Sequence, residues 1–268
     1  MVTKVTKFLK KFYIGLILIF LYAPIFVLIV FSFNDSKSRV HWNGFTLNWY
    51  KELFQDSQIM TSLYYTLLVA ALSSIIATII GTFAAIGIHN MTRFKKSLIM
   101  NITYLPVLNP DIVTGISLMI LFLFVKINLG FLSLLLAHIT FNIPYVILSV
   151  MPKLRQMNKH LYEAALDLGA SPLHAFFKVI VPEIMPGITT GFLLAFTLSI
   201  DDFVISFFTS GTDVSNLSIT IYSMARTGIN PKINALSTIM FSVVLCMLII
   251  VNKRMSKDNP EKVQERRS

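Results

Sequence analysis

The sequence predicts an all-α polytopic membrane protein with six transmembrane helices, on three observations. Of the 268 residues, 55% are hydrophobic and only 13% are charged, which is about half the charged fraction of an ordinary soluble domain. The mean hydropathy is +0.71. The hydrophobic residues come in long runs, each of which has to lie in lipid or against a similar run. This composition, with its single cysteine, excludes a disordered chain, a secreted disulfide scaffold and a soluble enzyme.

Six segments are long enough to cross the membrane as helices. A helix needs about 20 residues to cross a hydrocarbon layer about 30 Å thick, and it satisfies its own backbone hydrogen bonds there. The first segment is too long for the apolar region of a signal peptide, so we expect it to be a retained span. The last segment is near the short limit. The predicted spans are 12–33, 61–88, 98–125, 131–150, 184–208 and 235–251.

The distribution of basic residues predicts the orientation. Most of the 23 Lys and Arg residues lie at the N-terminus, in the second-to-third and fourth-to-fifth connections, and in the C-terminal tail. By the positive-inside rule, both termini are predicted to be cytoplasmic. This topology and contact with anionic membrane lipid explain the net charge of +10, so we expect no nucleic-acid binding. We expect a single transmembrane domain over 1–268, with a cytoplasmic loop at 151–183 and a polar tail at 252–268.

The predicted cytoplasmic loop is longer than a plain connection between two spans needs to be. Residues 159–182 read KHLYEAALDLGASPLHAFFKVIVP, which divides into two short helices around a turn. Apolar residues of the first helix, among them Ala164 and Ala165, recur at three- and four-residue steps and therefore share a face. Because alanine side chains are small, this face allows the backbone of another protein to come close. An amphipathic hairpin lying on the membrane surface is the alternative interpretation.

Local signals place the turn between these two helices. Gly169 follows the first helix and can adopt a positive φ angle without steric cost, which is typical of a helix end. Ser171 and Pro172 form an N-cap and first-turn pair, which predicts the start of a second helix over 173–180. Pro182 is expected to end that helix.

These residues resemble the EAA signature of the permease subunits of binding-protein-dependent ABC importers. In that family the loop is the coupling helix, which sits in a groove of a cytoplasmic ATPase and transmits closure of the ATPase dimer to the permease. The resemblance implies a MetI-like permease fold and a transport subunit that is not itself an enzyme. The chain also has no Gly-rich phosphate-binding loop, so it needs no cofactor of its own, and ATP and Mg would bind to the partner ATPase. The predicted ATPase-coupling residues are Glu163, Ala164, Ala165, Gly169, Ser171 and Pro172, and the motif ends in Val179, Val181 and Pro182.

Three acidic residues lie inside predicted spans, where a carboxylate costs about 2.5 to 3.5 kcal/mol at the membrane centre. Asp201 and Asp202 are adjacent in the fifth span. Since neighbouring residues of a helix point about 100° apart, both can face one pathway only if the helix is irregular. In a regular helix, one would bind cargo while the other pairs with a partner helix; alternatively, both hold salt bridges to another subunit. Asp111 follows a break predicted at Pro106 and Pro110, where the helix dipole also favours an acid.

A pathway lined by carboxylates suits a cation, and aromatic faces add cation–π attraction for amines. From the residues alone, the cargo is a cationic or polar solute. His138 and His89 lack further ligands at metal spacing, so we expect them to pack or to form hydrogen bonds, and we predict no metal site. The predicted substrate-pathway residues are Asp201, Asp202, Asp111, Ser199, Trp49 and Tyr145.

Longer strings extend the resemblance to the permeases of spermidine/putrescine importers, at 110–118, 129–141, 198–204 and 221–235. The resemblance implies a heterodimer with a PotB-like permease, two PotA-like ATPase subunits and a PotD-like polyamine-binding protein, all at the cytoplasmic membrane. Two alternatives stay open at this point. One is a permease of the same architecture for another solute, although an anion carrier would be expected to have basic residues within its spans. The other is a channel or scaffold that uses no ATPase.

Overall fold

The computed structural model describes residues 2–36, 41–158, 160–227 and 231–257. Over these residues the chain is helical, and its β-structure is a single bridge between Asn34 and Phe45. The predicted all-α class is therefore confirmed. The helices are α1 (Val2–Phe31), α2 (Asn48–Gln55), α3 (Ser57–His89), α4 (Arg93–Leu108), α5 (Asp111–Phe124), α6 (Phe131–Gln156), α7 (His160–Asp167), α8 (Pro172–Ala175), α9 (Val181–Asp201), α10 (Val204–Thr209), α11 (Leu217–Thr227) and α12 (Lys232–Lys257).

Within the described residues, four helices are long and apolar enough to cross a membrane. The pair α4 and α5 adds a fifth candidate if its two bent halves form one span. The apolar part of α12, Lys232–Cys246, is shorter. The count of six spans and the cytoplasmic position of both termini stay predictions. The four long helices are Leu9–Phe31, Ser57–His89, Phe131–Gln156 and Pro172–Asp201.

The third predicted span is broken where the sequence predicts a break. Helices α4 and α5 meet at an angle of 103°. Asn109 precedes a proline and is extended, with φ −74° and ψ 144°, because the ring of Pro110 disfavours the helical region for the residue before it. Pro106 lies inside α4. The break therefore depends on Pro110 alone, and the expectation that Pro106 contributes to it is wrong.

The chain divides into two compact units, which we describe separately. The first comprises Met1–Met60 and Ile221–Met247, and the second comprises Thr61–Thr220 and Leu248–Ser268. The start of the predicted polar tail continues α12 as far as Lys257, and 258–268 lie outside the described residues.

In the first unit, two aromatic side chains fix α2 to the end of α1. The indole Nε1 of Trp49 donates to the backbone carbonyl of Asn34 at 2.8 Å, and the hydroxyl groups of Tyr50 and Ser32 are 2.7 Å apart. Most hydrophobic side chains of α1 are exposed within the chain. An apolar helix of this kind is typical of a segment covered by lipid or by another subunit.

In the second unit, α6 packs between α3 and α9. Val146 of α6 is fully buried, and glycines of both neighbouring helices face it. A Cβ atom at Gly81 of α3 would lie 2.8 Å from the Val146 Cβ, and one at Gly191 of α9 would lie 3.2 Å from the Val146 Cα. Because glycine has no side chain, the three helix backbones approach closely, as is common between membrane helices.

We predict that Gly81→Ala destabilises the protein by about 1 to 3 kcal/mol, because the new methyl group overlaps a branched side chain that cannot swing away. The measurement is the midpoint of thermal denaturation of the purified protein in detergent. Gly87→Ala on the same helix is the matched control, since a Cβ there would have no heavy atom within 4 Å. Equal midpoints for the two variants would contradict this packing.

Candidate substrate site and coupling loop

The two adjacent aspartates lie at a break in the predicted fifth span. Helix α9 ends at Asp201, Asp202 is extended with φ −67° and ψ 127°, and α10 begins at Val204. A continuous span over 184–208 was expected, so this element of the prediction is wrong. The break arises because the Asp202 carboxylate accepts the backbone N–H groups of Ile205, at 3.2 Å, and Ser206, at 2.7 Å, and so caps α10.

Asp202 is turned into the bundle and is fully engaged there. Its side chain is 7% exposed. The Ser206 hydroxyl donates to Oδ2 at 2.7 Å, and the His138 Nε2 lies 3.5 Å from the same oxygen. The Asn216 side chain donates to the Asp202 backbone carbonyl at 3.0 Å. A buried carboxylate with this many donors is stabilised by its own chain and needs no ligand.

Asp201, in contrast, is exposed. Within the described part of the chain its carboxylate has no hydrogen-bond partner. It stands in the last turn of α9, where backbone carbonyls lack intrahelical partners and the helix dipole is negative. The negative charge of the carboxylate and the negative end of the helix dipole therefore lie at the same place. A cation bound there would offset the repulsion between them.

Ser199 belongs to a buried polar cluster, which comprises Ser73, His138, Asn142, Ser199, Asp202 and Ser206. The Ser199 side chain is 2% exposed, so within this chain it faces the bundle interior and not an open surface. The Ser199 hydroxyl lies 2.8 Å from the His138 Nδ1, 2.9 Å from the Ser73 hydroxyl and 3.0 Å from the Asn142 amide nitrogen.

Asp111 directly follows the bend between α4 and α5, and Tyr145 lies on α6. Asp111 is the first residue of α5 and is exposed. Tyr145 is half-buried on α6, within electrostatic range of the Asp111 carboxylate, and its ring lies 5.2 Å from that of Phe141. A carboxylate beside an aromatic ring is an arrangement that suits an amine. The helix dipole at the start of α5 also stabilises the acid.

Trp49, the remaining predicted pathway residue, lies in the first unit. Trp49 is 7% exposed and its only side-chain donor is used by the Asn34 carbonyl, so it holds the chain between α1 and α2 in place. Contact between Trp49 and cargo stays a prediction.

The roles of Asn142, Ser206 and Ser73 in the polar cluster were not predicted from the sequence. His138 was expected to pack or to form hydrogen bonds, and this is confirmed. The signal available was the polar side chain itself, since each of these residues interrupts an apolar run. No group of three or more potential ligands for a metal ion occurs among the residues that the structure describes.

The turn between α7 and α8 has the predicted local structure. Helix α7 ends at Asp167, and Gly169 has a φ angle of +85°. The Ser171 hydroxyl accepts the backbone N–H of His174 at 3.3 Å, and Pro172 is the first residue of α8. The N-cap and the glycine turn are therefore confirmed.

The helix after this turn does not end at Pro182, so that expectation is wrong. Helix α8 passes through a π-helical turn, Phe176–Ile180, into α9. The N–H of Val181 bonds to the carbonyl of Phe176, five residues earlier, and Pro182 then occupies the first turn of α9. The proline directly follows the π-helical turn, and the helix continues through it. Pro172–Asp201 is consequently one helical segment of 30 residues.

The turn presents an apolar surface that the residues described by the structure do not cover. Helix α7 has no buried residue. Leu168 is 89% exposed, Leu173 72% and Phe177 58%. Glu163 and Ala164 are exposed and Ala165 is half-buried. Beside this surface lies a cavity of about 940 Å³, lined among others by Phe83, Met157, Tyr162, Phe176 and Ile180. An exposed apolar surface of this kind marks an interaction site.

The sequence of this chain is similar to those of known proteins. The family described as binding-protein-dependent transport system inner membrane component matches residues 77–253. Over 252 residues the chain is 36% identical to the spermidine/putrescine transport system permease protein PotC of Haemophilus influenzae, covering 94% of this chain and 98% of that protein. Over 254 residues it is 39% identical to the putrescine transport system permease protein PotI of Escherichia coli, covering 92% and 90%.

A solved structure shares the fold. The chain matches a bacterial ABC transporter involved in the import of the acidic polysaccharide alginate with a TM-score of 0.70 and 17% identity, covering 96% of this chain and 97% of that one. The fold is therefore that of an ABC importer permease. The chain belongs to the family of binding-protein-dependent transport system inner membrane components. It is a multi-pass membrane component rather than a catalyst, and the nucleotide is bound by a partner ATPase.

We predict that Asp202→Asn lowers the stability by about 1 to 3 kcal/mol, because an amide cannot accept all three hydrogen bonds and leaves a buried donor unpaired. Thermal denaturation of the purified complex in detergent measures this change. Asp201→Asn is the matched control, since the neighbouring carboxylate is exposed and should leave the midpoint nearly unchanged. The assignment fails if the two variants are destabilised equally.

Gly169→Val is expected to strain the turn by about 1 to 2 kcal/mol, the cost of a left-handed conformation for a residue with a Cβ atom. A Cβ there would meet no neighbour, so the effect comes from the backbone alone. We expect uptake per ATP hydrolysed to fall in reconstituted vesicles. Gly169→Asn is the control, because asparagine tolerates this conformation, and it should stay coupled. Normal coupling with valine would show that the turn geometry is dispensable.

Proposed function

We propose that this chain is the permease subunit of an ATP-driven polyamine importer, which moves spermidine or putrescine inward after delivery by an extracytoplasmic binding protein. The observation that carries the proposal is Asp201, an exposed carboxylate at the negative end of α9. The relatives of this chain, PotC and PotI, are named as spermidine/putrescine and putrescine permeases. Spermidine and putrescine are alkyl chains with ammonium groups.

The chemistry of a polyamine fits the exposed acids. Each ammonium group donates hydrogen bonds and carries a full positive charge, so a carboxylate together with unpaired helix carbonyls replaces part of its hydration. Asp111 supplies a second exposed carboxylate, within electrostatic range of Tyr145. In this proposal Asp201 and Asp111 contact successive ammonium groups of the cargo as it passes.

The force for transport enters through the coupling loop, residues 151–183. We assign the exposed surface around Leu168 and Leu173 to contact with an ATPase subunit, with the small side chains of Ala164 and Ala165 at the interface. The helical segment Pro172–Asp201 starts at this loop and ends at the cargo carboxylate. Movement of the loop is therefore transmitted along one segment to the site.

The proposed assembly consists of this chain, a PotB-like permease, two PotA-like ATPase subunits and a PotD-like binding protein in the cytoplasmic membrane. The exposed hydrophobic side chains of α1 are consistent with contact to lipid or to the second permease. Both termini are placed in the cytoplasm in this proposal, so that the coupling loop faces the ATPases.

Uptake of labelled spermidine and putrescine by the reconstituted complex tests the proposal. We expect uptake that requires both ATP and the polyamine-binding protein. A complex that hydrolyses ATP but imports only another solute, such as an amino acid, would overturn the polyamine assignment. A chain that purifies with no ATPase after gentle solubilisation would overturn the importer assignment itself.

For Asp201→Asn we predict a loss of polyamine uptake of about tenfold, the size expected for removing one charge-assisted hydrogen bond. The amount of assembled complex should be unchanged, because the side chain is exposed. Initial rates at limiting polyamine are the measurement. Asp213→Asn, an equally exposed acid of the second unit, serves as the control. Uptake at the wild-type rate would remove Asp201 from the pathway.

A further inference from the structure

His138 contacts both sides of the break between α9 and α10. Its Nδ1 lies 2.8 Å from the hydroxyl of Ser199, in the last turn of α9. Its Nε2 lies 2.9 Å from the hydroxyl of Ser206, in the first turn of α10. The ring comes from a third helix, α6, and is 2% exposed. A rigid imidazole with both nitrogens engaged therefore fixes the distance between the two helix ends.

The hydrogen atoms around the ring can be assigned. The Ser206 hydroxyl has one hydrogen and gives it to Asp202 Oδ2, because an ionised carboxylate only accepts. The Ser206 oxygen consequently accepts from the His138 Nε2–H. In the neutral ring with this tautomer, the unprotonated Nδ1 accepts from the Ser199 hydroxyl. The ring thus donates toward Asp202 and accepts from α9, and each contact has a consistent donor and acceptor.

We propose that His138 is a positioning residue for cargo, which keeps the two adjacent aspartates in different environments. By holding Ser206 against Asp202, it keeps Asp202 on the cap of α10. By holding Ser199, it sets where α9 ends and therefore where Asp201 projects. His138 contacts no cargo itself and acts only through Asp201. This inference rests on the proposed polyamine function.

The surroundings of the two aspartates explain why a positioning residue is needed here. If the cap were lost, α9 would extend through Asp202, and two adjacent carboxylates would lie about 100° apart on one helix. Either acid would then be poorly placed or poorly solvated in an apolar environment. The contacts from Ser73 and Asn142 to Ser199 hold the α9 end of the cluster. Asn216 holds the Asp202 backbone carbonyl.

The test is polyamine imported per ATP hydrolysed by the reconstituted complex. His138→Leu should lower this ratio by about tenfold, since both hydrogen bonds are lost. His138→Gln should restore most of it, because its amide has one donor and one acceptor like the ring. A purely structural role would reduce uptake and ATP hydrolysis together and leave the ratio unchanged, which would overturn the proposal.

Ser133→Ala is the matched control. Ser133 is also buried on α6, and its hydroxyl donates to the carbonyl of Thr209 at 2.8 Å, at the far end of α10. This variant removes a bond between α6 and α10 without touching the break, so its ratio should stay at the wild-type value. If His138→Leu does not assemble, His138→Asn replaces it, because its shorter amide reaches only one of the two serines.

A double variant identifies the residue through which His138 acts. His138→Leu combined with Asp201→Asn should import no less polyamine per ATP than Asp201→Asn alone, since the positioned group is already absent. Independent, multiplied losses would overturn the proposal. Failure of the wild-type complex to import any polyamine would instead overturn the proposed function, so the two failures are distinguishable.

Discussion

The hydrocarbon core of a membrane tolerates neither a bare carboxylate nor an interrupted helix, and this chain satisfies both requirements with the same atoms. Asp202 is the only residue between α9 and α10 whose side chain bonds to the backbone of the following helix, within the described part of the chain. The cap supplies partners for the broken backbone, and the backbone N–H groups of Ile205 and Ser206 with the Ser206 hydroxyl supply partners for the carboxylate. The position of Asp201 depends on these hydrogen bonds between the Asp202 carboxylate and the start of α10.

One helical segment joins the two functional ends of the second unit. Pro172–Asp201 comprises 30 residues, or about 45 Å at 1.5 Å per residue. It begins beside the Gly169 turn and ends at the exposed carboxylate. The glycines of α9 pack closely against α6, so the segment is in close contact with α6. In the proposed function, this continuity would carry a displacement of the coupling loop to Asp201.

Local patterns were sufficient to predict much of this structure. Apolar runs marked the long helices, Pro110 marked the bend between α4 and α5, and Gly169 with Ser171 marked the turn of the coupling loop. Each of these features depends on residues next to one another in the sequence. Asp201 and Asp111 were likewise selected as pathway residues from the apolar residues next to them in the sequence.

Features that depend on distant partners were not predictable in the same way. Asp202 accepts from the Ser206 hydroxyl, which also lies 2.9 Å from the Nε2 of His138 on another helix, and periodicity within the fifth span does not indicate this contact. Ser199 precedes the acids in sequence, yet its helix face turns it inward to Ser73 and Asn142. Pro182 was expected to end a helix, whereas the helical segment continues from the π-helical turn before Pro182 into α9.

The different environments of Asp201 and Asp202 can be measured on the wild-type complex. Membrane-soluble carbodiimide reacts with accessible carboxyl groups, and tandem mass spectrometry separates modification at Asp201 from modification at Asp202. We expect label on Asp201, reduced when the polyamine-loaded binding protein and ATP are present, and little label on Asp202 in either condition. Preferential labelling of Asp202, or labelling of Asp201 that polyamine does not affect, would contradict the assignment of Asp202 to the fold and Asp201 to the cargo.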